Sequence, residues 1–108
     1  MKQTIRSKGI KLKEVYAFAG FSESYGSQLL YEDKHTSDRD MILRLCIAGH
    51  FTWDETNRAL KLYGFSELYA KDPRDACLIV QINNRIYDIH RINEELHKRD
   101  LELLSAGA

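Results

Sequence analysis

The chain has 108 residues, 44% hydrophobic and 30% charged, with sixteen basic side chains balanced by sixteen acidic ones. That size suits one folding unit, and the apolar content argues against disorder. No apolar run approaches the roughly 20 residues that a membrane-crossing helix needs, and Met1 to Arg6 contains no apolar core of a secretory signal, so none is expected.

Charge is unevenly spread. Residues 1–13 carry Lys2, Arg6, Lys8, Lys11 and Lys13 without an acid, whereas residues 51–108 carry eight basic and ten acidic side chains. A basic front and an acidic rear suit a partner that is negative on one side, although a run of this size is also an ordinary solvated face. The two cysteines, Cys46 and Cys77, lie in apolar helical patterns and read as free buried thiols, in keeping with a reducing cytoplasm.

Apolar residues recur at helical spacing almost throughout, and Pro73 is the only proline. Seven short helices are predicted, with no internal repeat of 20–50 residues and no low-complexity linker. The first covers about residues 2–7 and stops before Gly9. The second, about 12–19, turns Leu12, Val15, Phe18 and Ala19 inward and is closed by Gly20. Phe21 plugs the joint, Ser22 is a good N-cap, and the third helix runs over about 23–30 with Leu29 and Leu30 inward. After a polar turn, Ser37 caps a fourth helix at about 38–48, with Met41, Ile42, Leu45 and Cys46 on its buried side and Gly49 at its end.

Thr52 and Glu55 form a capping box for the fifth helix. Trp53, Ala59, Leu60 and Leu62 are its inward positions, and Gly64 terminates it. Asp72-Pro73 opens a sixth helix through about residue 82, whose segment Ala76 to Val80 is apolar nearly all round. A turn at Asn83 to Arg85 leads to a seventh, about 87–99, with the stripe Ile89, Ile92 and Leu96. The tail beyond it either continues the helix or folds back. The chain is thus expected to be a single all-α domain, residues 1–108, with a five-helix bundle over 2–70 and a helical pair over 72–104. That pair either packs on the fourth and fifth helices or presents Ile86, Ile89 and Leu96 to a second subunit.

The segment from Leu12 to Tyr31 carries the functional signal. Two helices meeting steeply through a tight turn need a residue that adopts a left-handed conformation, an apolar seal and a cap. Gly20, Phe21 and Ser22 supply these in order. On these residues, and on the stretches Ser24-Tyr25-Gly26-Ser27-Gln28, Ser37-Asp38-Arg39-Asp40, Leu60-Lys61-Leu62-Tyr63-Gly64 and Pro73-Arg74-Asp75-Ala76, the sequence resembles the Xre family of lambda-repressor-like helix-turn-helix regulators. It is closest in look to small bacterial members with an extra helical pair.

The resemblance implies that the third helix enters the DNA major groove. Glu23, Ser24, Ser27, Gln28 and Tyr31 then point outward. Gln28 has an amide that can pair bidentately with adenine. Ser22, Ser24, Tyr25 and Ser27 are candidates for base or phosphate hydrogen bonds, and Lys11, Lys13, Lys34 and Arg39 for phosphate neutralisation. The implied partner is double-stranded DNA, bound by a homodimer, with no cofactor. The chain departs from the family at Tyr16, where alanine is usual, and at Gly26 inside the recognition helix; a large ring facing a bare glycine would restore the packing by exchanging sizes. Glu32-Asp33 stands where the family has glycine and basic residues. Those carboxylates oppose DNA and keep a second function in view, a protein-interaction module on the same scaffold.

No enzyme is expected. His35, His50, His90 and His97 share no zinc-type spacing with the cysteines, and no phosphate loop or nucleophile elbow is present. Cys46 and His50 stand four apart, but Gly49 is expected to end their helix first. Trp53, Tyr63 and Phe65 read as core.

Overall fold

The computed structural model describes residues 1–31 and 38–105, and every regular element among them is a helix. In chain order these are α1 (Lys2–Ser7), α2 (Leu12–Ala19), α3 (Glu23–Tyr31), α4 (Arg39–Ala48), α5 (Trp53–Leu62), α6 (Pro73–Asn83) and α7 (Ile89–Lys98). No described helix is long and apolar enough to cross a membrane.

Local chemistry sets the boundaries. Gly20 takes the left-handed conformation (φ 83°, ψ 23°) that ends α2 and lets the chain reverse. At α5 the Thr52 side chain accepts the Glu55 N–H, and the Glu55 carboxylate accepts the Thr52 N–H at 2.9 Å, a complete capping box. Asp72 caps α6 by accepting the Asp75 N–H, with Pro73 behind it as the first helical residue. Ser37 lies outside the described residues. Asp38, expected in the first turn of α4, is its cap and accepts the Asp40 N–H at 3.0 Å, so the helix begins one residue later, at Arg39. Similarly, Asp88 accepts the His90 N–H, which starts α7 at Ile89 rather than at Tyr87.

Three apolar side chains expected inside are outside. Phe18 is 67% exposed and Leu62 70% exposed. The reason is the same in both helices. The buried stripe of α2 is Val15, Tyr16 and Ala19, and that of α5 is Thr56, Ala59 and Leu60. At about 100° per residue, Phe18 and Leu62 each fall roughly a third of a turn off the stripe. Tyr16 takes the inward place on α2. On α6, Val80 is 52% exposed, because Leu78, Ile79 and Ile82 bury the opposite side.

Contrary to the expectation of no internal repeat, α4–α5 and α6–α7 are two copies of one helical hairpin. At the head of each first helix stands Arg-Asp, Arg39-Asp40 and Arg74-Asp75. Arg39 donates to the carbonyls of Ser66 and Glu67 at the end of its own hairpin, and Arg74 does the same to Glu102 and Leu103. Each arginine also pairs in bidentate fashion with the other hairpin's aspartate, Arg39 with Asp75 and Arg74 with Asp40, at 2.7–3.1 Å. Each aspartate in turn accepts a backbone N–H from the other hairpin's tail, Asp75 from Tyr69 and Asp40 from Ser105.

The turns match as well. His50 and Arg85 are both left-handed, at φ 60° and 59°, and Asn57 and Asn93 both accept a tail N–H, from Leu68 and Leu104, at 2.9 Å. Contacts that run from each copy to the other through equivalent residues define an approximate two-fold axis. The tail after α7 therefore folds back, and Leu104 is buried as Leu68 is. Ile89 and Leu96 are buried within the chain, so they are not a face offered to a second subunit. The α1–α3 layer lies on the first hairpin, with α2 packed along α4.

Candidate nucleic-acid interface

The joint between α2 and α3 is built from four residues. Gly20 reverses the chain, and the Phe21 N–H donates to the Tyr16 carbonyl at 2.9 Å. The Phe21 ring meets Tyr25 edge-on, centroids 5.1 Å apart. Ser22 accepts the Tyr25 N–H through its hydroxyl at 3.1 Å, which caps α3. Beneath the turn the buried Tyr16 ring lies against the backbone of Gly26: a methyl placed on Gly26 would stand 2.3 Å from Cδ1 and 2.6 Å from Cγ of the ring. The large ring at position 16 thus packs on the bare glycine at position 26, and that contact sets how closely the two helices approach.

Leu29 and Leu30 bury one side of α3, while Glu23 and Ser24 are exposed and Ser27 and Gln28 half-buried. Lys11, which precedes α2, and Lys13 in its first turn are exposed. Of the nine side chains read as candidate DNA contacts, Lys11, Lys13 and Ser24 are thus exposed, and Ser27 and Gln28 are half-buried. Ser22 is exposed, and its hydroxyl oxygen accepts the capping N–H. Tyr25 is half-buried, with its ring on Phe21. Lys34 lies outside the described residues, as do Glu32, Asp33 and the side chain of Tyr31.

Arg39 is placed differently from the expectation of a phosphate contact. Its guanidinium is held by Asp75 and by the Ser66 and Glu67 carbonyls, so it is structural. A charge with its donors so satisfied inside the fold would have to surrender those bonds to reach a phosphate. Lys8 is likewise engaged, 2.8 Å from Glu55. Burial pushes the Glu55 carboxyl upward, but Lys8 and the capping N–H outweigh it and hold the group below the usual carboxylate range.

Two features near the joint were not anticipated. Arg44, the one cation in the otherwise apolar run Met41 to Ala48, donates to the Ala19 carbonyl at the end of α2 and to the Leu104 and Ser105 carbonyls of the tail. It fastens the front layer to the second hairpin. Its sequence signal is a charge on an apolar face. Beside it, exposed Phe18 borders a cavity of about 350 Å³ with Ala48, His50 and Tyr87. The His50 and Tyr87 rings stack at 4.1 Å, and burial, with Lys8 adding to it, holds the imidazole below its ordinary pKa. Cys46 and His50 do not form a pair: the Cys46 thiol is buried beside Thr56, and burial pushes its pKa far up. Among the described residues no group of three or more His, Cys, Asp or Glu side chains is arranged to hold a metal.

Compared with family models, with curated proteins and with solved structures, the chain finds no match in any of the three.

Proposed function

We propose that the chain is a sequence-specific, double-stranded DNA-binding transcriptional regulator, in which α2 and α3 act as a lambda-repressor-like helix-turn-helix and α3 enters the major groove. The observation that carries the reading is the joint itself. A left-handed glycine, an apolar seal and a serine cap lead into a helix that buries Leu29 and Leu30, exposes Ser24 and leaves Ser27 and Gln28 half-buried. Gln28 reads a base, Ser24 and Ser27 reach base edges or phosphates, and Lys11 and Lys13 neutralise the backbone. A cytoplasmic location belongs with this reading, since both cysteines are free. The reading assigns the chain no cofactor and no catalysis.

The test is selection from a random duplex pool at low salt, followed by anisotropy titration of the preferred site. Gln28→Ala is expected to cost about 1–3 kcal/mol on that site and to relax the choice at one base. Lys13→Ala should weaken all duplexes alike and make the salt dependence shallower. Binding of every sequence by Q28A as by the parent would remove Gln28 from the interface.

The internal use of Arg39 and the exposed Glu23 favour a second reading, a protein-interaction module on the same scaffold. Absence of binding to any duplex at low salt would select it.

A further inference from the structure

The second hairpin carries a residue that the first lacks. Phe51 and Ile86 occupy equivalent places, their N–H groups donating back to the Cys46 and Gln81 carbonyls. Thr52 and Asp88 are equivalent too, as the caps of α5 and α7. Thr52 follows Phe51 directly, whereas Tyr87 stands between Ile86 and Asp88. This extra residue stacks its ring on His50 of the first hairpin, centroids 4.1 Å apart. Since the His50 imidazole is held below its ordinary pKa, the stacked pair is uncharged near neutral pH.

The pair forms one wall of a cleft between the end of α2 and the start of α7. The cavity of about 350 Å³ that His50 and Tyr87 line shares Phe18, Asp88 and Ile89 with a second, of about 380 Å³, which Arg44 and Asn93 also line. Each is of the size that small molecules occupy. Phe18, common to both, is 67% exposed, so a large aromatic ring stands in water at their junction.

The second cavity holds opposite charges that do not meet. Arg44 gives three N–H groups to the Ala19, Leu104 and Ser105 carbonyls, all of them neutral, and keeps its remaining donors. Asp88 accepts the His90 N–H through Oδ1 alone. Among the described residues neither Arg44 nor Asp88 forms an ion pair. The Asn93 amide oxygen accepts the Leu104 N–H, which leaves its NH2 to donate.

We propose that this cleft binds a free aromatic α-amino acid, its ring against Phe18 and the His50–Tyr87 pair, its ammonium on Asp88 and its carboxylate on Arg44 and the Asn93 amide. A zwitterion answers both unpaired charges at once, and an aromatic side chain on the carbon that bears them supplies the ring that the adjoining walls favour. Such a ligand joins the front layer to the second hairpin. No residue of α3 takes part, so the site is independent of whatever that helix contacts.

Isothermal titration of the full chain with L-tryptophan is expected to show saturable binding. Tryptamine, which lacks the carboxylate, indolepropionate, which lacks the ammonium, and L-leucine, which lacks the ring, should each bind about tenfold more weakly or worse. Asp88→Asn retains a side chain that caps a helix as well as aspartate does, and Phe18→Ala alters a position already in water. Both variants should keep the parent's circular dichroism and lose about tenfold in affinity or more. In ¹⁵N-correlated spectra of the wild type, L-tryptophan should shift the amides of Phe18, His50, Tyr87 and Asp88. No binding at millimolar L-tryptophan, equal binding of leucine or of either truncated analogue, unchanged affinity in D88N and F18A, or shifts that leave those four amides in place would each overturn the proposal.

Discussion

Replacing Gly26 by alanine should destabilise the protein, although alanine is the better helix former. The new methyl would lie 2.3–2.7 Å from three atoms of the Tyr16 ring, which is buried in the core and has no open side to retreat to. Only residues 20–22 separate α2 from α3, so the helices cannot part without breaking the Ser22 cap. Crowding of this kind costs about 1–3 kcal/mol or somewhat more, against which alanine recovers about 1 kcal/mol of helix propensity. The net loss is expected at about 1–2 kcal/mol.

Tyr16→Ala alone removes a buried ring and should cost about 3–5 kcal/mol, as aromatic truncations do. With that ring gone, Gly26→Ala meets no obstacle and should stabilise by about 1 kcal/mol. The sign of the Gly26 effect thus reverses with the residue at 16, a coupling of about 2–3 kcal/mol. Urea unfolding of the four proteins measures it through the midpoints, provided the slopes agree. If Gly26→Ala is equally harmful in both backgrounds, or helpful in the wild type, the close approach of the two helices is not what fixes glycine there.

The crossed arginine–aspartate pairs give two further expectations, and the left-handed turn at Arg85 a third. Arg74→Ala leaves the Asp40 carboxylate largely buried without its counter-ion and should cost on the order of 2–4 kcal/mol by urea unfolding, a value reduced for the residual exposure of the pair. Burial pushes the Asp40 carboxyl upward, but Arg74 and the Ser105 N–H prevail and hold it below 3.8, its ordinary value. A depressed carboxyl contributes stability above that value and loses it as pH falls through the folded-state pKa. The fall in stability below pH 3.8 should therefore be shallower in Asp40→Asn than in the wild type, as followed by thermal melts across acid buffers. Arg85, exposed and left-handed at φ 59°, should be improved by glycine by about 0.5–1 kcal/mol, and a lower melting temperature for Arg85→Gly would contradict the strain assigned to that turn.

Most helix boundaries were legible because they rest on chemistry that acts within a few residues. The Thr52–Glu55 box, the Asp72-Pro73 opening and the Gly20 stop each satisfy backbone groups close by in sequence. The Tyr16–Gly26 exchange could be read too, since both positions lie in one motif. Helix rotation was harder: residues 15, 16 and 18 are all apolar, and only tertiary packing decides that Tyr16 and not Phe18 turns in. The hairpin duplication escaped because its marks are sparse. Arg-Asp recurs at 39–40 and 74–75, asparagine at 57 and 93, and leucine at 60 and 96, with little likeness between. Nor does a sequence disclose that Arg39 is spent on Asp75. A basic residue at a helix start has the same local signature whether it faces a phosphate or a carboxylate far along the chain.

The reciprocity of those pairs also limits how the molecule can be taken apart. A chain cut after Tyr69 would strip Asp40 of Arg74, Arg39 of Asp75 and the Ala19 carbonyl's arginine of its two anchors on the tail. The front layer is therefore not a detachable unit. Its orientation depends on the carbonyls of Leu104 and Ser105, and slow-exchanging amides in α4 and α6 should open together, as one cooperative event, rather than in sequence.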